Sequence, residues 1–366
     1  MNAPRIDLVA GARPNFMKIA PIVRALREDG RLRWRLVHTG QHYDRDMNDV
    51  FFEELGIPTP DVRLGAGGGS HATQTAKIMT AYEELCQRDR PDAVVVVGDV
   101  NSTLACTLVC SKLGIPVAHV EAGLRSRDRT MPEEINRLVT DCLADLLLTP
   151  SPDGDENLRA EGVPAEKIHH VGNIMIDSLV QHLDAARRCD VVARLALPAS
   201  GYGVVTLHRP SNVDDPATLA GILGALREIR RDLPLVFPCH PRTAGQLDRA
   251  GGAGGLKVIE PLGYIEFLVL VANSKLVLTD SGGLQEETTY HRIPCLTIRD
   301  NTERPITITQ GSNVLAGTDP RRLVTLAREA LARPRQSRPV PALWDGKTAD
   351  RIVDVLEQWW RSRSAG

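Results

Sequence analysis

Five segments of this 366-residue chain gather residue types that bind anions or move protons, and each follows a short apolar run. The first is Gly11-Ala12-Arg13-Pro14-Asn15-Phe16-Met17-Lys18. Its glycine allows close backbone approach, the helix that follows favours an anion at its N-terminus, and Arg13 and Lys18 add charge. The spacing fits neither the P-loop nor the GxGxxG dinucleotide fingerprint. Taken alone, the segment reads equally as a strand-to-helix turn with two solvated cations. The second is Gly98-Asp99-Val100-Asn101-Ser102-Thr103, where Asp99 by itself reads first as a cap of the next helix. The third is His119-Val120-Glu121-Ala122-Gly123-Leu124-Arg125, followed by Pro132-Glu133-Glu134-Ile135-Asn136-Arg137. Glu121 ends a buried strand, where a carboxylate is costly unless paired or used. Glu133 and Glu134 open a helix, where acids are favoured in any case. Asp99, Glu121 and Glu133 together could supply a general acid and a general base.

The fourth segment, His208-Arg209-Pro210-Ser211-Asn212-Val213-Asp214, mirrors the first in the second half of the chain. A His-Arg pair there could bind phosphates, and a histidine can titrate near neutrality. A helix-capping loop is the alternative. His240, in Cys239-His240-Pro241-Arg242, reads as structural or secondary. The fifth, Thr279-Asp280-Ser281-Gly282-Gly283-Leu284-Gln285-Glu286-Glu287, has the form strand, Ser-Gly-Gly, helix. That is a phosphate cradle built from backbone N–H groups and a helix dipole. Glu287 lies one turn into the helix, in reach of a ribose. Arg304, before Pro305, is held in an extended loop. The cysteines and histidines show no zinc spacing, and no Cys-His or Ser-His pair marks a covalent nucleophile. No metal is expected.

Elements that alternate in two series must position these groups. In the first half the strand-like runs are Ile6–Ala10, Arg35–Thr39, Ala93–Val97, Val117–Val120, Leu146–Thr149 and His169–Val171. In the second they are Val204–Leu207, Leu235–Phe237, Lys257–Ile259, Lys275–Thr279 and Cys295–Ile298. Several are apolar on both faces, as buried parallel strands are. Helical spacing lies between them, as in Ile19, Ile22, Val23 and Leu26, in Ala217–Arg230 and in Pro320–Ala332. The expectation is an α/β protein of two Rossmann-like doubly wound domains facing a cleft. The boundary falls between Asn173 and Tyr202, giving domains over 1–175 and 176–345. A last helix, Ala349–Arg361, within 346–366, packs back on the first domain, with Trp359-Trp360 as packing residues. Ligands of such sheets sit beyond the carboxyl ends of the strands.

Composition narrows the partners. A net charge of −2 with no long run of like charge argues against nucleic acid or an anionic membrane. No apolar stretch is long enough to span a bilayer, and the N-terminus reads as lacking a secretory signal. The seven cysteines are scattered without a CxxC pair, and Cys106 and Cys110 read as core. This set suits a reducing cytoplasm.

Across nearly its whole length the chain resembles the non-hydrolysing UDP-N-acetylglucosamine 2-epimerases. The matching motifs, in order, are Gly11–Pro21, Thr39–His42, Gly98–Thr103, His119–Arg125, Pro132–Arg137, His208-Arg209, Thr279–Glu287 and Thr302–Pro305. The resemblance implies a glycosyltransferase-B-like fold, a UDP-sugar substrate, no cofactor and a homodimer. It implies interconversion of UDP-GlcNAc and UDP-ManNAc for cell-surface polysaccharide. It assigns Arg13 and Lys18 to the nucleotide-sugar site, and Asp99, Glu121 and Glu133 to the catalytic carboxylates. It makes His208 the active-site histidine. Ser281, Gly282 and Gly283 become the diphosphate cradle, Glu287 the ribose-binding acid, Arg304 a further substrate contact and Phe267 a neighbour of the uracil. Gln41 and His240 fall where some members hold an allosteric UDP-GlcNAc.

The chemistry agrees with that resemblance. The sugar C2–H is not α to a carbonyl, so inversion needs either transient oxidation or elimination across C1–C2. Oxidation needs a nicotinamide site, for which the sequence has no fingerprint. Elimination needs a base for C2–H and stabilisation of departing UDP. Departures from the family pattern are Asn15 for the usual glutamate, Tyr43-Asp44 after Gln41-His42, Pro210 where a second arginine follows His208-Arg209, Leu262 near the nucleobase, and Ile306 for a glutamate. They bear on the exact sugar. A 2,3-diacetamido uronic acid is the first alternative substrate. A sugar transferase and a non-catalytic nucleotide-sugar sensor are the others.

Overall fold

A computed structural model describes residues 3–41, 52, 54–198, 201–239, 241–249, 252, 254–333 and 339–364. The side chains at 13, 241, 242, 244, 248 and 364 lie outside that description. The chain divides into two compact units, Met1–Val180 with Ala342–Gly366, and Gln181–Pro341.

The first unit holds a seven-stranded sheet. Its strands are β1 (Arg5–Ala10), β2 (Arg33–His38), β3 (Val62–Arg63), β4 (Ala93–Val97), β5 (Val117–Val120), β6 (Leu146–Thr149) and β7 (Ile168–His170). They lie in the order β3-β2-β1-β4-β5-β6-β7, and every pairing is parallel. All five residues of β4 are buried, because helices cover both faces of a parallel sheet. Each buried valine there contributes roughly 1.5 kcal/mol or more. The helix His71–Arg88 is opened by Ser70, which accepts from the Thr73 N–H, and buries Ile78, Tyr82, Leu85 and Cys86 along one stripe. These meet Cys106, Val109 and Cys110 of the helix Asn101–Leu113 in one core.

The second unit holds six strands, β8 (Gly203–Thr206), β9 (Leu235–Pro238), β10 (Lys257–Ile259), β11 (Leu276–Thr279), β12 (Cys295–Thr297) and β13 (Asn313–Leu315). Their order is β10-β9-β8-β11-β12-β13, again parallel throughout. The helices Pro216–Ile229 and Pro320–Ala332 cover one face, and Tyr264–Ala272 packs on the other. The eleven expected runs are all strands, with ends displaced by at most two residues. The two unexpected strands, β3 and β13, are sheet edges of two and three residues, too short for an alternation to register.

Each sheet reverses its strand order once, between β1 and β4 and between β8 and β11. Such a reversal opens a crevice at the carboxyl ends of the two strands. Residues 11–18 and 98–103 flank the first reversal, and residues 208–214 and 279–287 the second.

The helix Thr348–Ser364 packs against the helix Arg13–Asp29 within the first unit. Arg31 pairs with Asp354 and Glu357, and Asp177 Oδ2 accepts the Ala349 N–H at 2.7 Å. The Arg363 guanidinium lies over the Trp359 ring, 5.4 Å from its centre. All seven cysteines are free thiols, and Cys106 and Cys110 are buried. Among the described residues no helix is long and apolar enough to cross a membrane.

Candidate active site

At the first reversal, β1 gives way to Gly11 and the helix Arg13–Asp29. Asn15 Oδ1 accepts the N–H groups of Gly11 and Ala12, each at 3.1 Å, and its Nδ2 donates to the Val97 carbonyl at 2.9 Å. That last bond ties the turn after β1 to the end of β4. A carboxylate in place of the amide could not donate it. Gly11 is fixed by space, since a Cβ there would sit 2.1 Å from Ser102 Oγ.

Lys18 reaches from this helix to the Glu121 carboxylate at the end of β5. Both are buried, so each charge answers the desolvation of the other. Glu121 has a φ of 74°, a left-handed backbone that L-residues seldom adopt. Gly98 has a φ of 68°, and a Cβ there would be strained and would crowd the pair, 2.9 Å from Lys18 Nζ and 3.1 Å from Glu121 Oε2.

Asp99 is not a helix cap. The helix starts at Asn101 after Val100, with no side-chain capping bond. The Asp99 carboxylate instead takes the Arg137 guanidinium, and its carbonyl accepts Asn136 Nδ2 at 2.8 Å. Glu133 and Glu134 part company. Glu134 is buried, receives Arg137 Nη2 at 2.8 Å and the N–H groups of Ser126 and Arg127, and so is structural. Burial works to raise its pKa, but those bonds and the Arg137 charge hold it below the usual range. Glu133, one residue earlier in the first helical turn, is exposed. As acids of one first turn the two share a local pattern, and the helix phase buries Glu134 while it leaves Glu133 exposed. Arg137 was not marked as a site residue at all. A basic residue one turn beyond the paired acids was its only signal.

Gln41 Oε1 accepts both the N–H and the hydroxyl of Ser102, at 3.0 and 2.7 Å, and so steadies the start of the helix Asn101–Leu113. The Arg13 side chain, His42, Tyr43, Asp44 and His240 lie outside the described residues.

At the second reversal, His208 follows β8. Its Nδ1 lies 2.7 Å from Asp280 Oδ1, while the side chain stays 61% exposed. Donation of Nδ1–H to the carboxylate fixes the orientation of the ring, and when both ring nitrogens carry protons Nε2–H is a donor that an anion can accept. Asp280 is fully buried and also accepts the N–H groups of His208 and Arg209, each at 3.0 Å, and Asn212 Nδ2 at 3.1 Å. Burial pushes the Asp280 carboxyl up, and the bond and charge of His208 pull it below the usual range. Asp280 is the orienting group that reading the sequence missed, because its partner lies 72 residues away. The short helix Pro210–Val213 after His208 has no side-chain cap, whereas Asp215 caps the helix Pro216–Ile229.

Ser281, Gly282 and Gly283 lie at the junction of β11 with the helix Gly282–His291. The Ser281 N–H is taken by Thr279 Oγ1 at 2.9 Å, so the first N–H groups of the helix, on Gly282 and Gly283, are the cradle's donors. A Cβ on Gly282 would sit 2.5 Å from Arg304 Nη1. Arg304 is buried between Glu286, 2.9 Å from Nε, and Glu303, 2.5 Å from Nη1. Glu287 is buried as well, and burial, helped by Glu286, raises its pKa to about 8. Phe267 and Leu262 are partly buried against the core cluster of Tyr202, Val204 and Leu270.

The two reversals thus differ in chemistry. The first gathers carboxylates beside cations, a set suited to moving protons. The second gathers orphan N–H groups, an outward histidine and a buried arginine, a set suited to a phosphate. Two Rossmann-like units furnished in this way define an α/β enzyme of the glycosyltransferase-B-like class. The chain belongs to the UDP-N-acetylglucosamine 2-epimerase family, whose model matches residues 24–357.

The UDP-N-acetylglucosamine 2-epimerase of Methanocaldococcus jannaschii is 41% identical over 363 residues, covering 96% of this chain and 98% of that protein. The UDP-2,3-diacetamido-2,3-dideoxy-D-glucuronate 2-epimerase of Pseudomonas aeruginosa is 44% identical over 355 residues, covering 96% and 99%. The crystal structure of the M. jannaschii enzyme with UDP-GlcNAc and UDP superposes with a TM-score of 0.89, covering 97% of this chain and 99% of that one.

Proposed function

We propose that the protein is a cytoplasmic, homodimeric UDP-N-acetylglucosamine 2-epimerase that interconverts UDP-GlcNAc and UDP-ManNAc for cell-surface polysaccharide. The observation that carries the reading is the chemical split between the two reversals, in a chain 41% identical to an enzyme of that name. The second unit holds the nucleotide. Gly282 and Gly283 donate to the diphosphate, Glu287 meets the ribose, Phe267 lies near the uracil, and His208 and Arg304 stabilise the leaving UDP. Each donor aimed at the developing charge is worth about 3 kcal/mol in the transition state. The first unit moves the protons.

A base among Asp99, Glu121 and Glu133 takes the proton from C2. The C2–H electrons form the C1–C2 double bond, and the C1–O bond breaks with its pair on UDP. The product of this anti elimination is 2-acetamidoglucal. Re-addition of UDP to C1, with a proton delivered to the other face of C2, completes the inversion. Lys18 holds the Glu121 carboxylate in position for either step.

The test is proton NMR of UDP-GlcNAc with the enzyme in D2O. The expected result is UDP-ManNAc carrying deuterium at C2, with traces of free UDP and glycal. Product without C2 deuterium rules the mechanism out.

A second reading, the same reaction on a UDP-2,3-diacetamido uronic acid, is favoured by the 44% identity to the P. aeruginosa enzyme. Comparison of kcat/KM for the two sugars decides between them.

A further inference from the structure

The loops that carry two of the acids share one buried support. His119, on β5, has no exposed surface. Its Nδ1 lies 2.6 Å from Asp141 Oδ1, and its Nε2 lies 2.8 Å from the Gly98 carbonyl oxygen. Asp141 stands on the helix Pro132–Leu143. Its other oxygen accepts the Gly123 N–H at 3.0 Å and Arg125 Nη1 at 2.7 Å. Glu161 holds the far side of Arg125 with bonds of 2.8 and 2.6 Å.

One carboxylate therefore reaches two loops. Through His119 it fixes the carbonyl of Gly98, and Gly98 immediately precedes Asp99. Directly, it fixes Gly123, two residues beyond Glu121. Both loops are conformationally demanding. Gly98 has a φ of 68° and Glu121 one of 74°. A left-handed non-glycine residue persists only where its surroundings over-determine it. At Glu121 they do so through the Gly123 bond to Asp141 and through Leu148, whose carbonyl accepts the Glu121 and Ala122 N–H groups at 3.0 and 3.1 Å.

Stability alone is a poor account of this cluster. Replacing a buried ion group by well-packed apolar residues is often neutral or stabilising. What apolar residues could not do is fix the direction of the Gly98 carbonyl and the Gly123 N–H. The direction of that carbonyl sets the peptide plane from which Asp99 departs.

We propose that Asp141 and His119 are positioning residues for the proton transfer, holding the Asp99 and Glu121 loops in register without touching the sugar. The proposal rests on the epimerase reading, and two substitutions of one residue test it. His119→Gln places an amide nitrogen near the former Nε2 and keeps the bond to the Gly98 carbonyl. His119→Asn places it near the former Nδ1, keeping Asp141 and losing Gly98. The expected kcat of His119→Gln is within about tenfold of the parent, and that of His119→Asn is lower by about a hundredfold, the scale of a 1 Å misplacement. KM and the Kd for UDP stay within about threefold in both, because the nucleotide groups lie elsewhere. Equal kcat in the two variants, at either level, overturns the proposal.

If His119→Asn does not fold, Asp141→Asn takes its place. There a kcat more than about tenfold lower with unchanged UDP affinity supports the proposal, and an unchanged kcat overturns it. Amide hydrogen exchange at Gly98, whose N–H donates to the Val120 carbonyl at 3.0 Å, reads that loop without turnover. It should be faster in His119→Asn than in His119→Gln, and equal rates overturn the proposal even if the parent turns over neither UDP-sugar. A parent inactive on both sugars counts against the epimerase reading alone.

Discussion

Lys18 and Glu121 form a buried ion pair across 103 residues of sequence, over a glycine whose missing side chain makes the space. Glu121→Ala leaves the ammonium buried without its main counter-charge. The expected loss is about 3 to 5 kcal/mol of unfolding free energy, together with epimerisation. Urea denaturation measures the first. A loss below about 1 kcal/mol would mean that the pair is solvated.

Asp99→Asn keeps the shape of the side chain and removes its charge. Turnover should fall by about 10² to 10⁴, the usual worth of a positioned acid or base. UDP affinity, measured by calorimetry, should change by less than about threefold, since the Arg137 contact lies in the first unit. A nucleotide-sugar sensor would have no turnover to lose, so measurable turnover in the parent excludes that alternative.

The Asp280 carboxylate is expected to act through His208. Asp280→Asn removes the negative charge beside the ring and can present its amide rather than an acceptor to Nδ1, so the imidazole loses its counter-charge and its fixed orientation. A drop in kcat of about tenfold or more is expected, with a smaller effect on KM. Equal kcat would show that the 2.7 Å contact is dispensable.

Glu287 makes stability depend on pH. Burial raises its folded pKa from 4.5 to about 8. Between those values the folded protein binds a proton that the unfolded chain does not. Its contribution is therefore fully present below 4.5 and is lost as pH rises through about 8. Glu287→Gln cannot ionise, so the ligand-free variant should lose less melting temperature than the parent over that window. Parallel melting curves would refute the shift.

Gly282→Ala should weaken UDP binding by about tenfold or more, because its Cβ would displace the Arg304 guanidinium, 2.5 Å away, from the cradle. Crystallography or calorimetry with UDP checks this. Unchanged affinity would remove both residues from the nucleotide site.

The sequence by itself determined the elements. A run such as Ala93–Val97 reads as a buried strand because its period and β-branched residues are local properties, and the apolar runs recur in two series. The motifs also declared themselves locally, as polar residues after strands. Strand order, and so the partners of each polar group, was decided only by the tertiary structure. Asp99 looked like a cap until the helix Pro132–Leu143 brought Arg137 to it. Glu133 and Glu134 share one local pattern as first-turn acids, and their different surroundings come from the buried face of that helix. Asp280 and Asp141 had no local signal, because the histidines they hold lie 72 and 22 residues away. Side-chain pairing across a parallel sheet depends on which strands become neighbours at the reversals, and a crossover connection hides that from any local window.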